Sequence, residues 1–134
     1  MNRVVLYLTI SFFIFILWVI YLANTGQSSA FFELVKMVPY GDKFGHILLF
    51  GFLTLGINIS TKYKVVRFKN IPIFIGTISV FIFVLIEELS QSFVLTRTMD
   101  IDDFYADIIG ITIFTFGTYY LKKRQIEYTI RRNE

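Results

Sequence analysis

Four long apolar runs, residues 4–23, 44–60, 71–93 and 103–121, are separated by short polar stretches. Twenty residues of helix rise about 30 Å at ~1.5 Å each, enough to cross a hydrocarbon core. The first run is almost continuously apolar, and no Ala-x-Ala site follows it, so it reads as an uncleaved anchor rather than a signal peptide. Residues 24–41 are small and polar, with Glu33, Lys36 and Pro39, and read as a loop holding a short surface helix. The second run is shorter and is reached through Gly41-Asp42-Lys43. Asn70 can cap a helix and Pro72 suits a first turn, so the third helix is expected to start at 71. A polar crossing, 94–102, leads to the fourth. No repeat, low-complexity tract or second domain interrupts this pattern. The expected fold is all-α: one polytopic membrane domain, 1–134, with four transmembrane helices in a compact bundle.

Composition agrees. Of 134 residues, 55% are hydrophobic and 19% aromatic, more apolar surface than a soluble domain of this size can hide. The chain has no cysteine, which excludes a disulfide framework, a thiolate nucleophile and a zinc–thiolate site. The net charge of +3 reads better as membrane orientation than as nucleic-acid binding, because of where the basic residues fall. Ten of the thirteen Lys/Arg lie at the N-terminus, in 62–69 and in the tail after 121; only Lys36, Lys43 and Arg97 lie on the other side. Positive-inside bias then puts both termini in the cytoplasm, with Tyr119 and Tyr120 in an interfacial belt and 62–69 against anionic inner-leaflet lipid.

The acids run the other way. Glu33, Asp42, Glu87, Glu88, Asp100, Asp102, Asp103 and Asp107 fall towards the outer side, against Glu127 and Glu134 on the inner. Most crowd into 86–110, between two apolar runs, where an ionisable group needs a partner or a function. Asp42 and His46 are four apart at the outer start of the second helix, Glu88 and Gln91 three apart near the end of the third, and Asp103 and Asp107 four apart at the start of the fourth. Each pair shares a helix face, so three packed helices would bring them into one polar cup. Asp100, Asp102 and Asp103 are also placed as caps and first-turn acids, whereas Asp107 lies a full turn deeper, beyond the reach of the helix dipole. Of Glu87 and Glu88, one is expected to face the cup and the other to pair with Arg97; helical geometry does not choose between them. Ala106, Gly110 and Gly117, with Gly41 and Gly45, read as close-packing positions.

Three segments resemble the VanZ-like family of small bacterial membrane proteins. Asp42-Lys43-x-x-His46, followed by Phe50, is similar to its Asp-Lys-x-x-His motif, and Glu88-x-x-Gln91-x-Phe93 to its Glu-x-x-Gln motif. Arg97-x-x-Asp100-x-x-Asp103-x-x-x-Asp107-x-x-Gly110 is similar to a third segment, in which the family usually has asparagine where Asp107 stands. The likeness spans 42–117 in order and spacing. It implies a multi-pass protein of the bacterial plasma membrane and cell envelope, in a family that includes a teicoplanin-resistance protein and whose biochemical mechanism is open. It also favours Glu88 over Glu87 as the site residue.

The candidate site is therefore Asp42, Lys43, His46, Glu88, Gln91, Arg97, Asp100, Asp103 and Asp107. The leading expectation is binding of a phospholipid or lipid-linked wall-precursor headgroup at the outer leaflet. Lys43 and Arg97 would meet phosphate or carboxylate, and the acids, His46 and Gln91 would hold amine, hydroxyl or amide groups. The alternative is an enzyme acting on an envelope lipid, with a divalent cation, Mg or Mn, held by His46, Glu88, Asp103 and Asp107. Against it, the chain has no His-Glu-x-x-His or Gly-x-Ser-x-Gly signature. A small proton-coupled transporter ranks third.

Overall fold

A computed structural model describes residues 3–27, 30–95, 97 and 99–133. The chain is mostly helical: α1 (Arg3–Asn24), α2 (Ala30–Lys36), α3 (Gly41–Ser60), a hairpin of β1 (Val65–Phe68) and β2 (Ile71–Phe74), α4 (Ile75–Gln91) and α5 (Ile101–Asn133). Among the described residues three helices, α1, α3 and residues Ile101–Arg132 of α5, are long and apolar enough to cross a membrane.

Helix α1 ends where Gly26 takes a positive φ of 66° and the Gln27 N–H returns to the Leu22 carbonyl, closing the last turn. Only Ile16 and Leu22 of this helix are buried; Val4, Leu8, Ile14, Trp18 and Tyr21 face outward. Such a surface is unfavourable in water and ordinary against lipid. Helix α3 begins at Gly41, earlier than the expected 44, so Asp42 and Lys43 lie in its first turn.

The third helix departs from expectation. Residues 71–74, expected to open it, instead form β2, paired antiparallel with β1 in the register Val65↔Phe74 to Phe68↔Ile71. Asn70 is no helix cap; with Lys69 it makes the tight turn, both at positive φ, as a two-residue hairpin requires. Val65, Val66, Phe68, Ile71, Ile73 and Phe74 are β-formers, and Pro72 is tolerated because each strand of a two-stranded ribbon has a free edge. The all-α expectation is corrected by this hairpin. Helix α4 then runs 17 residues, about 25 Å, and stops at Gln91 rather than 93. The fourth helix exceeds its expected end at 121: α5 continues through the basic tail to Asn133, 33 residues in all. No Gly or Pro follows Gly117 to stop it, and Arg124 donates to the Tyr120 hydroxyl one turn back at 2.7 and 2.8 Å. Glu134 lies outside the described residues, as do Ser28, Ser29, Thr96 and Thr98 within the expected loops.

Helix α3 is central and touches α1, α2, α4 and α5. Ile16, Phe50, Leu53, Val80, Val84 and Ile111 form the core, flanked by Phe12, Phe13, Phe83 and Phe104. Helix α5 lies closest to it: a Cβ at Gly110 would collide with the Ile47 carbonyl, so backbone meets backbone there. Gly45 and Gly117, also expected as close-packing positions, face open space instead.

Two polar layers cross this apolar core. At the hairpin end, Asn58 of α3 donates to Thr77 of α4 at 3.2 Å and Thr118 of α5 at 3.3 Å, and accepts the Thr77 N–H at 3.2 Å. Thr77 and Thr115 hydroxyls are 2.8 Å apart. The other layer, eleven or twelve residues away along each helix and so about 17 Å distant, contains His46, Glu88 and Asp107. Helix α4 therefore runs the distance between the layers alongside α3 and α5.

Candidate functional site

The second layer is built where four chain segments meet: the start of α3, the end of α4, the segment before α5, and the start of α5. It has a rim and a floor. At the rim, Asp100 caps α5, its Oδ1 accepting the Asp102 N–H at 2.9 Å while its backbone carbonyl accepts from Asp103 and Phe104. Its Oδ2 accepts from Lys43 Nζ at 2.7 Å. Lys43 also donates to Asp103 and lies 3.2 Å from Asp42 Oδ2. One ammonium is thus shared by three carboxylates. The Lys43 hydrogen bond and the Asp102 amide hold the Asp100 carboxyl below the usual aspartate range. Asp42 and Asp100 remain more than two-fifths exposed, so the rim is open to small polar groups from outside.

The floor is closed. His46, one turn into α3, places Nδ1 2.8 Å from Asp107 Oδ1, and its Nε2 lies 3.6 Å from Asp103 Oδ2. Glu88 and Gln91 are 1% exposed and Asp107 is fully buried. Gln91 Nε2 donates to both glutamates of α4, 2.8 Å to Glu87 Oε2 and 3.1 Å to Glu88 Oε1. The Glu87–Glu88 ambiguity is resolved by this geometry: Glu87 turns to Arg97, whose Nη1 donates to Glu87 Oε1 at 3.1 Å, and Glu88 turns to His46 and Asp107. Ligand atoms of His46, Glu88 and Asp107 all lie within 4.8 Å of one another. Glu88 Oε2, Asp107 Oδ2 and Gln91 Oε1 are buried and have no hydrogen-bond partner among the described residues. A buried acceptor left so is costly, and a buried carboxylate oxygen more so.

The expected residues thus divide. His46, Glu88, Gln91 and Asp107 make the floor, and Asp42, Lys43, Asp100 and Asp103 the rim. Asp103, expected among metal donors, is engaged by Lys43 and stands at the boundary. Arg97 lies to one side on Glu87, with Nη1 3.5 Å from Asn24 Oδ1 at the end of α1. Asp102 is exposed and contributes only its backbone amide. Beside the floor, Ile16, Ile20, Leu49, Phe50, His46 and Arg97 are among the residues lining a cavity of about 90 Å³, room for a few waters. Sequence reasoning missed Asn24 and the whole Asn58 layer; an asparagine inside an apolar run, as at Asn58, is the signal that was there to read.

Counted together, Asp42, Glu87, Glu88, Asp100, Asp103 and Asp107 face two obligate cations, Lys43 and Arg97, both already ion-paired. The arrangement attracts positive charge. Comparison with family models, curated proteins and solved structures found no match to this chain.

Proposed function

We propose that this chain is a VanZ-like, four-span protein of the bacterial plasma membrane, both termini cytoplasmic, whose acidic cup opens at the outer leaflet. There it binds the amine-bearing headgroup of a phospholipid or lipid-linked wall precursor. Four spans are supported by α4 joining the same two polar layers as α3 and α5, through Thr77 at one and Glu88 at the other. The orientation is supported by the basic residues: the hairpin and the α5 tail lie together at the end opposite the cup, Tyr119 donating to the Pro72 carbonyl and Lys122 over the Phe74 ring. Depth is supported by exposed Leu34, Met37, Tyr40, Phe93 and Leu95 on the segments bordering the cup, which suit an interface between hydrocarbon and headgroups.

The observation that carries the reading is the rim itself, where Lys43 is shared by Asp42, Asp100 and Asp103. An incoming ammonium finds carboxylates with acceptor capacity to spare, whereas an incoming phosphate finds no free cation at this rim. This reverses the assignment expected for Lys43 and Arg97, which hold the site's own acids in place. Native mass spectrometry of the detergent-purified protein with equal phosphatidylethanolamine and phosphatidylglycerol tests it. Preferential retention of phosphatidylethanolamine, lost in Asp42→Asn/Asp100→Asn, is expected; equal or greater retention of phosphatidylglycerol overturns the reading.

A further inference from the structure

The rim accounts for a headgroup, but not for the floor beneath it. Three buried oxygens from two helices, Glu88 Oε2, Gln91 Oε1 and Asp107 Oδ2, lack any partner among the described residues. The imidazole of His46 stands beside them. Two carboxylates this close and this deep repel each other unless something positive lies between them. Lys43 is taken up at the rim and Arg97 by Glu87, so of the protein's own groups only the His46 imidazole, 2.8 Å from Asp107 Oδ1, stands against the floor carboxylates, and it leaves Glu88 Oε2 and Asp107 Oδ2 unpartnered.

We infer that His46, Glu88 and Asp107, with the Gln91 side-chain oxygen as a further donor, form a binding site for one divalent first-row transition-metal ion. The inference deepens the headgroup reading, placing a cation under the same cup. The His46, Glu88 and Asp107 donors lie within 4.8 Å of one another, and donors about 2.1 Å from a central ion in octahedral geometry stand roughly 3–4.2 Å apart, so a small closure brings these three to ligand distance. The donor set discriminates among ions. Mg²⁺ prefers oxygen throughout, which a floor with an imidazole serves poorly; Mn²⁺ and its later neighbours accept mixed nitrogen and oxygen ligands. Asp103 stands outside this close cluster, its Oδ1 accepting from Lys43. The small cavity against His46 and Glu87 offers a path for the ion and space for the waters that would complete its coordination.

The test uses full-length protein in detergent, stripped with chelator and titrated with Mn²⁺ alone, read by electron paramagnetic resonance. One Mn²⁺ per chain is expected, with modulation from an imidazole nitrogen in the spin-echo signal. Binding should weaken ~10-fold or more in Glu88→Gln and Asp107→Asn and stay unchanged in Asp102→Asn, while Mg²⁺ in equal amount fails to displace the ion. The nitrogen signature is read on the wild type, so it decides the matter even where a floor variant does not fold. Absence of stoichiometric Mn²⁺, bound Mn²⁺ without nitrogen coupling, or binding unaffected by Glu88→Gln overturns the inference. Phosphatidylethanolamine retention measured after chelation reads the headgroup claim by itself, so either can fail without the other.

Discussion

His46 Nδ1 lies 2.8 Å from Asp107 Oδ1, joining the first turns of α3 to the second turn of α5 at a depth where Asp107 is wholly buried. The contact depends on how closely those helices approach. Because Gly110 lets the backbone of α5 rest against Ile47, the side chain one turn earlier on α5 reaches the side chain one residue earlier on α3. Packing thus sets the chemistry of the floor.

That dependence makes Gly110 a sensitive position. Gly110→Ala forces a Cβ against the Ile47 carbonyl and should cost ~1–3 kcal/mol, while Gly117→Ala, with open space around it, should be neutral or slightly stabilising. Melting of both variants in detergent, followed by Trp18 fluorescence, checks the contrast; equal effects would mean that the close approach is not what holds α3 and α5.

Arg97 behaves as part of the frame. Glu87 is 6% exposed in its side chain and keeps Arg97 as its charge partner, so Arg97→Ala leaves a buried carboxylate uncompensated and should destabilise by ~3–5 kcal/mol. Adding Glu87→Gln should recover much of the loss. A thermal melt of single and double variants checks this, and an Arg97→Ala variant as stable as wild type would contradict the pairing.

The rim has a pH signature. Asp100 titrates below its unfolded value, so its contribution is present above about pH 4, the unfolded aspartate range, and is lost as pH falls through the lower folded value. Asp100→Asn keeps a good helix cap and removes only the charge. The melting-temperature gap between wild type and Asp100→Asn should therefore be constant near neutrality and shrink as pH drops below about 4. A gap that widens in acid would reverse the sign and refute the Lys43–Asp100 attribution.

Much of this was legible in the chain because it rests on periodicity. The i, i+4 pairs Asp42–His46 and Asp103–Asp107 share faces in any helix, and apolar runs of membrane length leave few alternatives to a helical bundle. What was not legible depends on partners distant in sequence or on local competition. Whether Glu87 or Glu88 faces the floor is set by where Arg97 and His46 arrive, which one helix cannot reveal. Asn70-x-Pro72 reads equally as a helix start or a tight turn; the β-branched and aromatic residues on both sides decide for the hairpin. The Lys43 cluster shows the same limit, since a lysine beside an aspartate says nothing of two more acids arriving from the segment before α5 and its first turn.

Which way the acidic cup faces is directly measurable, because the chain has no cysteine. Single cysteines placed at exposed Asp102 beside the cup, at Arg67 in the hairpin and at Arg131 in the α5 tail would each be the only thiol in the protein. With a membrane-impermeant maleimide on intact spheroplasts, the account predicts labelling at 102, and labelling at 67 and 131 only after permeabilisation. Labelling of 67 or 131 in intact cells, with 102 protected, would place the cup at the cytoplasmic face and contradict an outer-leaflet headgroup site.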